Sequence, residues 1–265
     1  MILIPRKLHY CWFGQSPLSD TATRCIASWR EQCPDYEIIQ WDESNCDINI
    51  NKFVSEAYQA QKWAFVSDYF RLKIIEENGG IYFDVDVELL KPLDDLLHLD
   101  GFMGFELGTD NNINTGHGFG AKSNHPVVTL LRRKYETIPF ILPDGSHDTT
   151  PCPVRDTKAL VEIGLKRDNQ LQIIQGMTFL PADYLSPRSF FGQENFTNNT
   201  YAVHHYQASW ADERQKKINA YRKKLVKLYG TRVGGMLGAT YAAYREITDK
   251  GWSNFIAKIR KRYFK

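Results

Sequence analysis

The chain has no apolar run approaching 18 residues in its 265, which argues against a membrane-spanning helix. Its start, "MILIPRKLHY", reaches Pro5 and two basic residues after a short apolar beginning, without the long apolar core and cleavage site of a signal peptide. Five cysteines (Cys11, Cys25, Cys33, Cys46 and Cys152) form no CxxC pair. An odd count without metal-ligand spacing points to reduced, structural thiols and a cytoplasmic place. Internal repeats and low-complexity linkers are absent, and so is any recognisable nucleic-acid-binding module, so no nucleic-acid partner is expected. What is present is ordinary globular composition, 43% hydrophobic and 24% charged.

The net charge of +2 conceals an asymmetry. Residues 1–210 hold 18 Lys and Arg against 27 Asp and Glu, whereas residues 211–265 hold 15 against 4. An acidic body followed by a basic tail suggests an anionic partner for the tail. Lys216, Lys217, Arg222, Lys223, Lys224 and Lys227 fall in helical register beside Ile218, Tyr221, Leu225 and Leu228, and "WSNFIAKIRKRYFK" combines aromatic anchors with a basic cluster. Such a segment suits an anionic membrane surface, on the inner face of the plasma membrane. A solvated helix packed on the body by its apolar side fits equally well.

Periodicity predicts alternating strands and helices. "KLHYCWFG" reads as a strand, and "SDTATRCIASWREQC" as a helix with Ala22, Cys25, Ile26 and Trp29 on one face. "YEIIQW" follows as a second strand, then one or two helices that stop at Gly79-Gly80. The expected architecture is α/β, a mostly parallel sheet flanked by helices over residues 1–210, with a basic helical appendage over 211–265.

"GGIYFDVDVELL" then reads as one strand, with Tyr82, Asp84, Asp86 and Glu88 on one face. Acidic side chains in a strand are ordinarily a wet face. Here they sit in the second half of a strand that follows a helix, where ligands of parallel sheets gather. Paired carboxylates suit a hard divalent cation, Mn²⁺ or Mg²⁺, and the phosphates it holds. In the preceding "FVSDYFRLKII", Ser67, Asp68 and Arg71 share a narrow polar arc of an otherwise apolar helix. An exposed Asp–Arg pair is the simpler account of that arc alone.

Together, "FVSDYFRLKIIEENGGIYFDVDVELLKPLDDLL", "IPRKLHYCWFG", "INTGHGFGA" and "HHYQASW" resemble the DXD-containing glycosyltransferases of family 32, the capsular-polysaccharide and Och1-like transferases. The resemblance implies a GT-A (Rossmann-like) fold, a nucleotide-sugar donor with UDP-sugar favoured, Mn²⁺ or Mg²⁺, and retention of anomeric configuration. It also implies a glycan or lipid-linked oligosaccharide acceptor in surface polysaccharide synthesis. Carried onto this chain, it assigns Trp12 to stacking on the base, with Ser67 beside it in the donor site. It assigns Asp68 and Arg71 to the sugar and diphosphate, and Asp84 to ribose and sugar. Asp86 becomes the main metal ligand and His205 completes the coordination, with His204 as competitor because adjacent strand residues face opposite ways. Ser209 and Trp210 fall in a closing loop, and Asn114 near the transferred sugar. Without the resemblance, Trp12 would be read as a core aromatic and Asn114 as a turn residue. Two other readings stay open: a catalytically weak nucleotide-sugar or glycan-binding module, and a metal-dependent nucleotide-sugar hydrolase.

Overall fold

The computed structural model describes residues 3–108, 110–207, 213–252 and 256. The chain divides into two compact units, Met1–Ser189 with Glu194–Gln207, and Phe190–Gln193 with Ala208–Lys265.

The first unit opens with β1 (Lys7–Cys11), α1 (Asp20–Gln32) and β2 (Glu37–Trp41), as the periodicity predicts. Ser19 caps α1 through its Oγ, which accepts from the Ala22 N–H at 3.2 Å. The buried face is Ala22, Cys25, Ile26 and Trp29. Two helices follow, α2 (Lys52–Gln59) and α3 (Trp63–Asn78). Helix α3 is apolar nearly all round and correspondingly buried, and it ends at Gly79, whose φ of 64° is open to a residue without Cβ. The chain continues through β3 (Gly80–Tyr82), β4 (Val87–Leu89), β5 (Gly101–Gly104), β6 (Phe119–Ala121), α4 (Pro126–Glu136) and α5 (Cys152–Glu162). It ends with β7 (Gln172–Ile174), β8 (Met177–Leu180), α6 (Ala182–Leu185) and β9 (Ala202–His204).

Seven strands form one sheet in the order β2-β1-β3-β6-β5-β8-β7. Strands β2, β1, β3, β5 and β8 run one way, while β6 and β7 run against them. The sheet is thus mixed but mostly parallel. Because side chains alternate across it, each strand feeds two cores. Tyr82, Met103 and Phe119 join α2, α3, α4 and α5 on one side. Leu8, Ile81 and Phe102 join α1, β4 and the Leu93–Leu97 turn on the other.

The single strand expected across Ile81–Leu89 is two strands in two sheets. The Asp84 N–H donates to the Gly116 carbonyl at 3.0 Å, and the Val87 N–H donates to the Asp84 carbonyl at 3.0 Å, which closes a turn over Val85 and Asp86. Strand β4 then leaves the large sheet and pairs only with β9, antiparallel, with Val87 opposite His204.

In the second unit, the helical segment α7 (Glu213–Lys250) breaks at Gly230, whose φ of 74° and ψ of 171° are not helical. Its two arms form an antiparallel hairpin. Arg214 Nε donates to Asp249 at 2.9 Å, and the Tyr221 and Tyr241 rings lie 4.3 Å apart. A Cβ on Gly234 would stand 2.3 Å from the Leu225 carbonyl oxygen, and one on Gly238 3.0 Å from Arg222 Cγ. Gly234 and Gly238 thus let the arms approach closely, and the break in the helix is at Gly230. No helix among the described residues is long and apolar enough to cross a membrane.

Candidate active site

The turn after β3 presents Asp84 and Asp86, and the β4–β9 ladder brings His204 beside them. Ligand atoms of these three side chains all lie within 4.8 Å of one another. His204 Nε2 donates to Asp86 Oδ1 at 2.9 Å, and the Gln207 N–H donates to Asp86 Oδ2 at 2.9 Å. Burial alone would raise the Asp86 carboxyl, but His204 and the donated hydrogen bonds outweigh it and hold the group far below the usual carboxylate range. Burial likewise opposes the His204 charge, and Asp86 more than compensates, so the imidazole is raised. His205 does not join this group. Its Nε2 bonds Glu88 at 2.8 Å, because residue 205 faces the opposite side of the ribbon from residue 204. The expectation of His205 at the carboxylate pair is therefore corrected to His204.

Helix α3 supplies the next ring of charge. Arg71 is 3% exposed, and its Nη2 lies 2.9 Å from Asp84 Oδ1 and 3.2 Å from Asp68 Oδ1. Its Nη1 donates to Cys152 Sγ at 3.3 Å, and the guanidinium stands 5.1 Å from the centre of the Tyr82 ring. The Tyr82 hydroxyl donates to the same Asp84 oxygen at 2.9 Å. Asp68 is pushed up to about 6 by burial, which Arg71 opposes. Asp84 is raised by burial too, again against Arg71, yet its side chain keeps 30% exposure and can reach a ligand.

A glycine-rich loop closes the group from the far side. Asn114 Nδ2 donates to Glu106 Oε2 at 3.1 Å and lies 2.8 Å from His117 Nε2, while Asn114 Oδ1 accepts from the Gly116 N–H at 2.8 Å. The His117 ring lies tilted 4.5 Å from His204, and Tyr206 lies tilted 4.2 Å from it on a left-handed backbone, φ 52°. Gly116 is required by contact: a Cβ there would stand 2.3 Å from Asp84 Oδ2 and 3.1 Å from Arg71. Behind the loop, Asp156 accepts from Thr115 at 2.9 Å and from Tyr135 at 3.2 Å, and burial lifts it to about 7.

The remaining expected residues lie differently. Ser67 turns its Oγ back onto the Trp63 carbonyl at 3.1 Å. Trp12 lines a cavity of about 400 Å³ with Gln15, Ser16, Gln40, Asp42, Glu43 and Ser44, a lining that shares no residue with the carboxylate group. Ser209 and Trp210 lie outside the described residues. Glu106, His117, Cys152, Asp156 and Tyr206 were not singled out as site residues from the sequence. The only signal was the glycine punctuation of "INTGHGFGA", since buried partners of distant chain segments leave no local pattern.

The donor set fits a hard divalent cation. Asp68, Asp84, Asp86 and Glu106 face Arg71 and His204, an excess of negative charge. Buried Arg71 Nε, His117 Nδ1 and His204 Nδ1 have no hydrogen-bond partner among the described residues. Unsatisfied buried polar atoms are rare without a ligand or water to meet them.

Comparison with known proteins includes a match over this segment. Residues 19–102 match the family model described as a glycosyltransferase sugar-binding region containing a DXD motif. The initiation-specific alpha-1,6-mannosyltransferase of Candida albicans is 32% identical over 75 residues, covering 26% of this chain. The match spans only a fifth of that relative's length. Among solved structures, a glycosyltransferase involved in glycosylation of the major capsid of PBCV-1 aligns at a TM-score of 0.44 and 12% identity, over 84% of this chain and 100% of that one. The galactosyltransferase LgtC, in complex with donor and acceptor sugar analogs, aligns at 0.40 and 13%, over 81% and 95%. The matched sequence segment runs from the cap of α1 to β5 and contains Asp68, Arg71, Asp84 and Asp86. Over residues 19–102, therefore, this chain is similar to glycosyltransferase sugar-binding regions containing a DXD motif.

Proposed function

We propose that the protein is a retaining, metal-dependent hexosyltransferase that moves a sugar from a nucleotide-sugar, UDP-linked, to a glycan or lipid-linked oligosaccharide in surface polysaccharide synthesis. The observation that supports it is the Asp84–Asp86–His204 group, whose ligand atoms gather within 4.8 Å, with both aspartates inside the matched DXD region.

Asp86 and His204 would hold Mn²⁺ or Mg²⁺, with Asp84 beside them. When bound, the cation supplies positive charge to a departing nucleoside diphosphate. The protein's own part is to hold the ligands in place. Arg71 fixes Asp84 through a buried ion pair and acts on the donor through that carboxylate, since the guanidinium is itself 3% exposed. Asn114 fixes His117, and His117 and Tyr206 pack against the His204 ring and against each other. The remaining acidic side chains favour the positive charge that develops on the sugar carbon. In attack from the face the diphosphate leaves, the diphosphate itself takes the acceptor proton, and no separate base is required. Trp12 offers a flat surface for the base at its own cavity. The basic C-terminal segment meets an anionic membrane surface, at the inner face of the plasma membrane.

The test is a panel of nucleotide-sugars with Mn²⁺, read as thermal stabilisation, because a ligand that binds only the native state raises its stability. One UDP-sugar is expected to stabilise the parent and to be turned over with a glycan acceptor. Asp86→Asn is expected to fold and to lose turnover by about 1,000-fold. Parental turnover by that variant would overturn the reading. Donor cleavage at the same rate with and without acceptor would replace it with a hydrolase.

A further inference from the structure

The C-terminal hairpin exposes apolar side chains that its own packing does not use. On the second arm, Val233, Met236, Leu237 and Tyr244 are 53%, 70%, 44% and 60% exposed. At 100° per residue they fall within about a 100° arc. That arc is turned away from Gly234 and Gly238, which face the first arm. At the end of the first arm, Leu228 and Tyr229 are 62% and 56% exposed. The bend at Gly230 lies between Leu228–Tyr229 and Val233–Leu237, so these exposed side chains flank the turn of the hairpin on both arms. Exposed Lys224 and Lys227 stand within one helical turn of Leu228.

We propose that this tip inserts into the interfacial layer of an anionic lipid bilayer, with Met236, Leu237 and Val233 entering the headgroup–acyl boundary and Lys224 and Lys227 meeting lipid phosphates. The proposal rests on the membrane reading of the C-terminal segment and assigns the inserting element within it. Contiguous exposed apolar surface marks either a protein or a membrane contact. Charge decides between them here. Residues 211–265 hold 15 Lys and Arg against 4 Asp and Glu. A second copy meeting tip to tip would set the same basic rim against itself, whereas anionic lipid complements it. An apolar wedge rimmed by lysines also matches how interfacial helices bind, by buried apolar area plus attraction to headgroups. The effect on catalysis is positional: it holds the sugar site near lipid-linked acceptors without altering its chemistry.

The experiment is co-sedimentation of the full chain with phosphatidylcholine vesicles and with vesicles containing phosphatidylglycerol. Binding is expected only to the anionic vesicles. The double variant Met236→Asp/Leu237→Asp is expected to lose about tenfold or more in partitioning, and Lys224→Glu/Lys227→Glu a comparable factor. Both variants are expected to keep the parental circular dichroism spectrum and donor-induced thermal shift, since these side chains are exposed. Parental partitioning by the Met236/Leu237 variant would overturn the tip proposal while leaving the membrane reading standing. No binding of the parent to either vesicle would overturn both. A parental dimer broken by the Met236/Leu237 variant, with vesicle binding unchanged, would assign the patch to a second copy and overturn the proposal.

Discussion

The carboxylate site and the C-terminal hairpin both hold many charges, and they hold them in opposite ways. In the site, Asp68, Arg71 and Asp86 are at least nine-tenths buried, and each is tied to a named partner by a short contact. On the hairpin, Lys224 and Lys227 stand exposed. Buried charge is costly unless paired, so it persists where geometry has to be held. Exposed charge contributes little to folding and remains available to a partner. The two regions thus separate positioning from attraction, and substitutions should separate them too.

The largest expected contrast is in stability. Arg71→Met leaves Asp68 and Asp84 without their shared cation inside the protein. It should cost on the order of 3–5 kcal/mol in denaturant unfolding. Lys227→Ala on the hairpin should stay within about 0.5 kcal/mol of the parent. Equal losses would erase the distinction drawn between the two regions.

Next comes the histidine pair, which sharpens the comparison inside the site. His204→Ala should weaken Mn²⁺ affinity by about 10- to 100-fold, measured by calorimetric titration. His205→Ala should leave it near the parental value, because that imidazole bonds Glu88 instead. The reverse order would return the role to His205.

The smallest effect is a pH dependence. Asp156 is lifted from 3.8 to about 7, first by burial and then by Asp68. Its folded-state affinity for a proton exceeds its unfolded one. The folded state therefore keeps that proton where the unfolded chain has lost it, and stability falls as pH rises from about 4 to 7. Asp156→Asn should flatten that slope, by on the order of 1–3 kcal/mol between pH 5 and 8. An unchanged slope in unfolding curves at the two pH values would show that another group is responsible.

Much of this was legible before any coordinates. The faces of α1 and α3, the glycine stop and the acidic pair follow from short-range periodicity and from the backbone freedom of Gly79. Three features were not. The alternation through "IYFDVDVEL" reads as one strand, yet the chain turns at Val85–Asp86 because Gly116 captures the Asp84 N–H. The choice between His204 and His205 depends on the register of β9 against β4. A one-residue slip would exchange the two faces. Arg71 reads as a phosphate contact, but the structure surrounds it with Asp68, Asp84, Tyr82 and Cys152.

The sequence by itself determined the α/β alternation, the DXD segment with its helical Asp68 and Arg71, and the split between an acidic body and a basic tail. Each is written in neighbouring residues, and local sterics, periodicity and charge need no distant partner. Only the tertiary structure decided which histidine meets Asp86, which glycine makes room for Asp84, and which apolar side chains the hairpin leaves uncovered. Those outcomes depend on strand register and on close contact between segments far apart in the chain, and long-range packing alone sets them.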